Sequence, residues 1–509
     1  MNVDSASDAN EVIRVVIVGG GTAGWMAALY LHHALRGRGA AITLVESPVV
    51  ASIGVGEATI PSIVEFLRTL DLDEGALMRR CSATFKLAIK FEGWRGPGSS
   101  YWHAFGPCGG QLNGLDLFHF WLDRGRTTGD ARAYSDYSLH AGLCEARKAA
   151  WPFGGTSAVR ELGSYAYHLD ASALADYLRQ LATSAGVKHL YGHVQSVRFD
   201  AQGRLASLDI GAERSIDGDL FLDATGFRGR LIEGEFGDPW IDWSQQLLCD
   251  GAVTMPLARD ETFPPYTLSC AAPAGWTWRI PLQSRVGVGY VYSRAHISDD
   301  EAAATLIARS APANRRAADP RALKIRIGRR SRFWIANCVS IGLASGFVEP
   351  LESTGLHLTF AALKLLVEHW PDRNFAAAGI AAFNSQMSAL YDEVRDFIML
   401  HYVLSNRQEP FWRAARMAPV ESSLQQLIAL HDEAGRVRLG ARPVFYEPSY
   451  HFIFSGNGRL PRRSPIGVDL ARPSEVARVL DQIRAQNERF AEAAPSHADY
   501  LAELGRATL

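Results

Sequence analysis

The sequence predicts an α/β fold in which a buried parallel sheet is flanked by helices. Three observations carry that prediction. Residues 14–19 (RVVIVG) and 41–46 (AITLVE) are short, continuous apolar runs, the pattern of strands covered on both faces. Residues 22–36 between them read as a helix, completing strand, turn, helix and strand. G-x-G-x-x-G, at Gly19, Gly21 and Gly24, falls at the strand–helix junction. There the first glycine allows a tight turn, the second lets backbone approach a pyrophosphate, and the third lets helix and sheet pack closely.

Each later element follows from its own pattern. A Gly/Pro-punctuated loop, SIGVGEATIPS, covers 52–62, and a helix follows over 63–70. Residues 85–91 (FKLAIKF) alternate: Phe85, Leu87, Ile89 and Phe91 on one face, Lys86, Ala88 and Lys90 on the other. That period of two predicts a half-buried strand with solvated lysines. Helix is predicted over 171–185, and hairpins over 194–210 and 276–292. Buried strands are expected at 219–226 (DLFLDATG) and 338–343, and further helices over 355–370, 382–405 and, with helical spacing, 474–509. The Pro/Gly-rich stretch 442–465 reads as an irregular cap or mobile loop. The chain divides into a flexible N-terminus (1–11), a nucleotide-binding core with an interleaved substrate region (12–405), and a C-terminal capping and helical region (406–509).

Composition narrows the function. Of the 509 residues, 47% are hydrophobic and 21% charged, a balance that supports a large folded core. A net charge of −2 gives no field toward nucleic acid or an anionic membrane. The basic stretch Arg326, Arg329, Arg330 and Arg332 reads as surface or strand-end charge. Six scattered cysteines form no metal spacing and point to reduced thiols. With no apolar run long enough to span a bilayer and no signal-peptide pattern, a cytoplasmic enzyme is expected. No metal is expected, and no pattern sets an oligomeric state.

The glycine motif offers the uncapped N–H groups of a helix N-terminus to phosphates. Glu46, ending the next strand, is placed to bind ribose hydroxyls. The motif does not separate NAD from FAD; the second strand ending in the small-residue turn Thr225–Gly226 favours FAD. A single motif argues against an NADPH domain, so electrons come from another protein. The fold class is therefore an FAD-binding α/β fold of the glutathione-reductase/monooxygenase type, with a mixed second sheet and a largely helical C-terminal region.

Seven separated motifs then occur in order: GGGTAGWMAA (19–28), VGEATIP (55–61), FKLAIKF (85–91), HAF (103–105), LDATGFRG (222–229), GWTWRIP (275–281) and FVEPLESTG (347–355). With them the chain, from about Arg14 to Trp412, closely resembles the flavin-dependent tryptophan halogenase family. The resemblance implies FAD, used as FADH2 from a separate NAD(P)H-dependent flavin reductase. Halide and O2 would be co-substrates, giving hypohalous acid by way of a flavin hydroperoxide. It extends the cofactor contacts beyond Gly19, Gly21, Gly24 and Glu46 to Thr22, Ala23, Gly56, Ala58, Thr59, Asp223, Gly226 and Gly342. It singles out Lys86 as the essential lysine and Glu352, rather than Glu349, as the active-site carboxylate. Halide is placed at the backbone of Thr354 and Gly355, where Ser353 or Thr354 can cap the following helix. His103 and Phe105 belong to the aromatic substrate pocket. Trp276, Trp278, Ile280 and Pro281 form a wall between flavin and substrate.

One segment departs from the family. Residues 445–456 (FYEPSYHFIFSG) lack the acidic and aromatic pattern that holds a free amino acid. The expected substrate is therefore indole or a larger indole derivative. Tryptophan halogenation proper, or aromatic monooxygenation, are the alternatives.

Overall fold

Valine and isoleucine on both faces of Arg14–Val18 put this strand in the centre of a sheet, and the structure, a computed structural model, places it there. The structure describes residues 12–49, 56–310 and 316–506; the N-terminus to residue 11 and the first part of the 52–62 loop lie outside them. Arg14–Val18 pairs in parallel with Ala41–Glu46 on one side and Leu220–Asp223 on the other. Lys188–Tyr191 and Cys338–Ser340 extend the parallel sheet outward, and Trp334–Ile335 closes it antiparallel. Val18, Glu46 and Asp223 therefore end at one edge, where ligands of open α/β sheets bind. Thr22–Ala34 is the crossover helix. It packs on the helices Ser62–Thr69 and Gly355–Glu368 through Tyr30, Phe66 and Phe360, whose rings meet edge-on at 5.3–5.6 Å for the two pairs with Phe360.

A seven-stranded mixed sheet carries the rest of the core. Its order is Arg321–Lys324, Gly251–Ala258, Arg285–Tyr292, Gly275–Pro281, Tyr266–Ala272, Ala88–Glu92 and Ser100–Ala104. Only Tyr266–Ala272 and Ala88–Glu92 run parallel. A small antiparallel sheet of Gly56–Ala58, Ala166–Asp170 and Thr84–Lys86 links the two large ones.

Four expectations need correction. FKLAIKF is not one half-buried strand: Thr84–Lys86 joins the small sheet and Ala88–Glu92 the large one, with Leu87 at the break bonded to Pro265 and Phe105. Both faces are covered and Lys86 is 0% exposed, so the alternation separates core from site rather than core from water. The 442–465 stretch contains a helix, Glu447–Gly456. Pro448 lies in its first turn, where a missing N–H costs little, and Gly456 lets it lie against Tyr101, which a Cβ would meet at 2.4 Å. The arginine stretch is surface or strand-end charge only in part: Arg332 is exposed and Arg330 ends the strand Gly328–Arg330, but that strand end is buried. Arg330 is fully buried on Glu233, and Arg329 and Arg332 pair with Asp392 and Asp238. Finally, the tail is two helices, Pro473–Ala493 and His497–Arg506, broken at Pro495. The second returns to the site: buried His497 accepts a hydrogen bond from the Phe85 backbone.

Candidate active site

The glycine cradle shows which of its residues face open space. A Cβ on Gly19 (φ +121°) would lie 2.3 Å from the Ala224 carbonyl oxygen, and one on Gly24 would lie 1.9 Å from that of Gly19. At Gly21 a Cβ would meet nothing within 4 Å among the described residues. Gly21 also starts the Thr22–Ala34 helix without a side-chain cap, so the first-turn N–H groups point at that space. Glu46 ends its strand over Gly20, with its carboxylate 2.8 Å from His189 Nε2. An open glycine, an uncapped helix and a carboxylate at the strand end fit a dinucleotide such as FAD.

Other residues expected at the cofactor have partners within the protein. Asp223 is fully buried: Oδ1 accepts from the backbone and hydroxyl of Thr225, Oδ2 from Leu231 and Ile232. Its acceptors are taken by its own loop, so it shapes the turn that leaves Gly226 (φ +69°) open. The Thr22 hydroxyl bonds the Ala171 carbonyl, and Ala23 packs on Gly342. Gly56 packs near Ile280 and Leu282, and Ala58 is buried.

The Thr59 carbonyl points to Lys86 instead. The Lys86 ammonium donates to that oxygen at 3.0 Å and to Ser353 Oγ at 2.8 Å, and lies 4.8 Å from the centre of the Phe105 ring. Burial pushes the lysine down to about 7, against the pull of the Glu352 carboxylate. Glu352 ends the 3-10 turn Pro350–Glu352, after which Ser353 adopts a left-handed conformation (φ +61°) that brings its hydroxyl to Lys86. Two histidines flank the carboxylate. His103 Nδ1 donates to Oε2 at 2.7 Å. His401 Nε2 lies 2.9 Å from Oε1 without hydrogen-bond alignment, so Oε1 lacks a hydrogen-bond partner among the described residues. Burial alone would raise the Glu352 carboxyl, but His103 and His401 outweigh it and hold it at about 2.

The tryptophan halogenase family model matches residues 14–472 of this sequence. This chain belongs to the tryptophan halogenase family. The tryptophan 7-halogenase RebH of Lentzea aerocolonigenes is 35% identical over 96% of this chain and 98% of its own. Two solved flavin-dependent halogenases superpose closely. BrvH from Brevundimonas sp. BAL3 is 38% identical, with a TM-score of 0.90 over 97% of this chain and 99% of its own. Xcc4156 from Xanthomonas campestris is 39% identical, with a TM-score of 0.91 over 97% and 98%. The chain is thus a flavin-dependent enzyme, and no helix among the described residues is long and apolar enough to cross a membrane.

In this halogenase the W-x-W-x-I-P strand is tied to both sides of the site. Trp276, Trp278 and Ile280 share one face and are buried. Trp276 Nε1 donates to Glu349 Oε2 at 2.9 Å. Trp278 lies over Gly289, whose Cβ would come within 2.4 Å of its ring. The Pro281 carbonyl accepts from the Thr84 hydroxyl two residues before Lys86. The Gly355 helix begins at Thr354 with no side-chain cap, so neither Ser353 nor Thr354 plays the capping part expected of it.

Two site residues carry no sequence signal that singles them out. His401 comes from the Ala377–Val403 helix, and its Nδ1 lies 3.1 Å from the Tyr101 hydroxyl. Burial lowers its imidazole despite the Glu352 charge. Glu57, within VGEATIP, places Oε1 3.8 Å from where a Gly355 Cβ would lie, and burial pushes it up to about 7. Its neighbours Gly56, Ala58 and Thr59 were the residues that the motif suggested.

Proposed function

We propose that this halogenase places bromine or chlorine on an electron-rich aromatic ring, indole or an indole derivative, with Lys86 and Glu352 as the catalytic pair. The observation that carries the reading is the wholly buried ammonium of Lys86 beside a carboxylate held by His103 and His401. FAD would lie on the Gly19–Gly24 turn with Glu46 and Gly226 nearby. Bound as FADH2 and supplied by a separate reductase, it would provide electrophilic halogen from O2 and halide. The uncapped N–H groups at Thr354 and Gly355 suit a halide, an anion with no directional demand.

Lys86 has one N–H left after Thr59 and Ser353, enough to hold the halogen donor by a hydrogen bond. Glu352 accepts the proton that leaves the ring as halogen replaces it. Oε1, which lies 2.9 Å from His401 Nε2 but is not aligned with it for a hydrogen bond, is the available acceptor, and a weakly basic carboxylate is sufficient because a cationic ring adduct is strongly acidic. His103 and Phe105 flank the ring's position. The wall of Trp276, Trp278, Ile280 and Pro281 keeps flavin and ring apart. Six unpaired cysteines agree with a cytoplasmic setting.

The family model and the relative RebH are named for tryptophan; the preference for indole here rests on the 445–456 segment, which supplies Phe445 stacked on Phe397 at 3.8 Å. Supply the enzyme with FADH2, O2 and bromide or chloride, and give it indole and tryptophan. Mass spectrometry should show the halogen isotope pattern, with indole favoured. Products carrying one added oxygen and no halogen would mark a monooxygenase instead.

A further inference from the structure

No arginine or lysine pairs with Glu46 among the described residues; the partner of its carboxylate is an imidazole. His189, on the edge strand Lys188–Tyr191, brings Nε2 to 2.8 Å from Glu46 Oε2. A carboxylate only accepts, so Nε2 carries the hydrogen and donates it. The glycine turn bounds the same group from another side: a Cβ on Gly20 would lie 2.2 Å from Glu46 Cδ and 2.6 Å from Oε2. Oε1 has no hydrogen-bond partner among the described residues. One oxygen is thus fixed and the other is left for a ligand.

The imidazole is itself held by packing. Its ring meets that of Trp25 edge-on at 4.9 Å and lies 4.5 Å from that of Tyr191. Trp25 is 1% exposed and follows Gly24 directly in the Thr22–Ala34 helix, whose uncapped N-terminus faces the phosphate space. Register ties the strands as well, with His189 beside Leu44 and Tyr191 beside Glu46. The helix that offers N–H groups and the ring that orients the carboxylate are therefore locked to one frame. Fixing a glutamate side chain on binding costs entropy, and a carboxylate oriented beforehand avoids that loss.

We infer that His189 is a positioning residue for the cofactor: its N–H holds the Glu46 carboxylate in the orientation that accepts the adenosine ribose hydroxyls of FAD. This deepens the proposed cofactor site and rests on it. His189 has no part in halogen transfer; what it sets is the preference for FAD over FMN, which lacks the adenosine.

The test titrates the full-length protein, freed of flavin, with FAD and with FMN, and follows flavin fluorescence. His189→Phe keeps a ring against Trp25 and removes the donor. It should weaken FAD about tenfold, the order of one hydrogen bond to a charged group, and leave FMN unchanged. His189→Gln returns an N–H donor without the ring and should bind FAD nearly as the wild type does. A packing role predicts the opposite order, with Phe tolerated and Gln not. Glu46→Ala should weaken FAD by at least as much as His189→Phe, and adding His189→Phe to it should cost nothing more. Tm is read for every variant, and His189→Leu serves if His189→Phe does not fold. Wild-type FAD affinity in His189→Phe, the reversed order of the two His189 variants, or a His189→Phe loss that persists in the Glu46→Ala background would overturn the inference alone. FAD affinity unchanged in Glu46→Ala would instead overturn the placing of the ribose on Glu46.

Discussion

Glu349 and Glu352 lie three residues apart on either side of one 3-10 turn, and both are fully buried, yet their surroundings oppose each other. Glu352 faces two imidazoles and is held at about 2. Glu349 is pushed up to about 7 by burial, although Trp276 Nε1 and the Tyr402 hydroxyl, the latter at 2.6 Å, donate to its Oε2. One carboxyl faces the lysine side as a lasting charge. The other braces the tryptophan wall against the Ala377–Val403 helix as a group poised near neutrality. The contrast shows that environment, not residue type, divides the work of two adjacent carboxyls.

The sharpest way to break the comparison is Glu352→Gln. Removing the proton acceptor should lower kcat by about 10²–10⁴-fold, the usual range for general acid–base groups, while FAD affinity, measured by titration, stays unchanged. Glu349→Leu should act on stability instead. It strands the Trp276 and Tyr402 donors in the core at about 1–3 kcal/mol each, read as a fall in Tm. His401→Phe should let the Glu352 carboxyl rise from about 2 toward its ordinary value, moving the acid limb of the kcat/KM profile to higher pH. Glu349→Gln should do least, because its amide oxygen can still accept both bonds and the carboxyl is already half neutral near pH 7.

Lys86 adds a pH dependence of definite sign. Its ammonium is present below about 7 and lost above it, so an ammonium role predicts kcat/KM falling as pH rises through 7. Stability should move the other way. Between about 7 and the ordinary 10.5 the unfolded chain holds a proton that the folded chain has released, so folding gains as pH rises across that window. Urea melts across this range check the second trend and initial rates the first.

What was legible in the sequence was local. Gly19, Gly21 and Gly24, the apolar strands beside them and the 276–292 hairpin each announce themselves within a few residues, because turn chemistry and strand periodicity are short-range. Lys86 and Glu352 could be picked out by motif, but the burial of Lys86 could not. Alternation in 85–91 looks the same whether the second face meets water or, as at Lys86, the protein interior. His401 reaches Glu352 from a helix nearly fifty residues further along the chain, and nothing in its own neighbourhood marks it. At Asp223 the sequence does not reveal that the following loop folds back and fills its side-chain acceptors, because Leu231 and Ile232 lie eight and nine residues on. The Glu447–Gly456 helix was hidden by a proline that the first helical turn tolerates.

The most direct test of the paired roles is a comparison of wild type with Lys86→Ala at matched FAD occupancy, with FADH2, O2, bromide and indole supplied to both. Bromoindole from the wild type and none from the variant, with flavin still bound, is the predicted result; equal bromoindole from the two would contradict the assignment of Lys86.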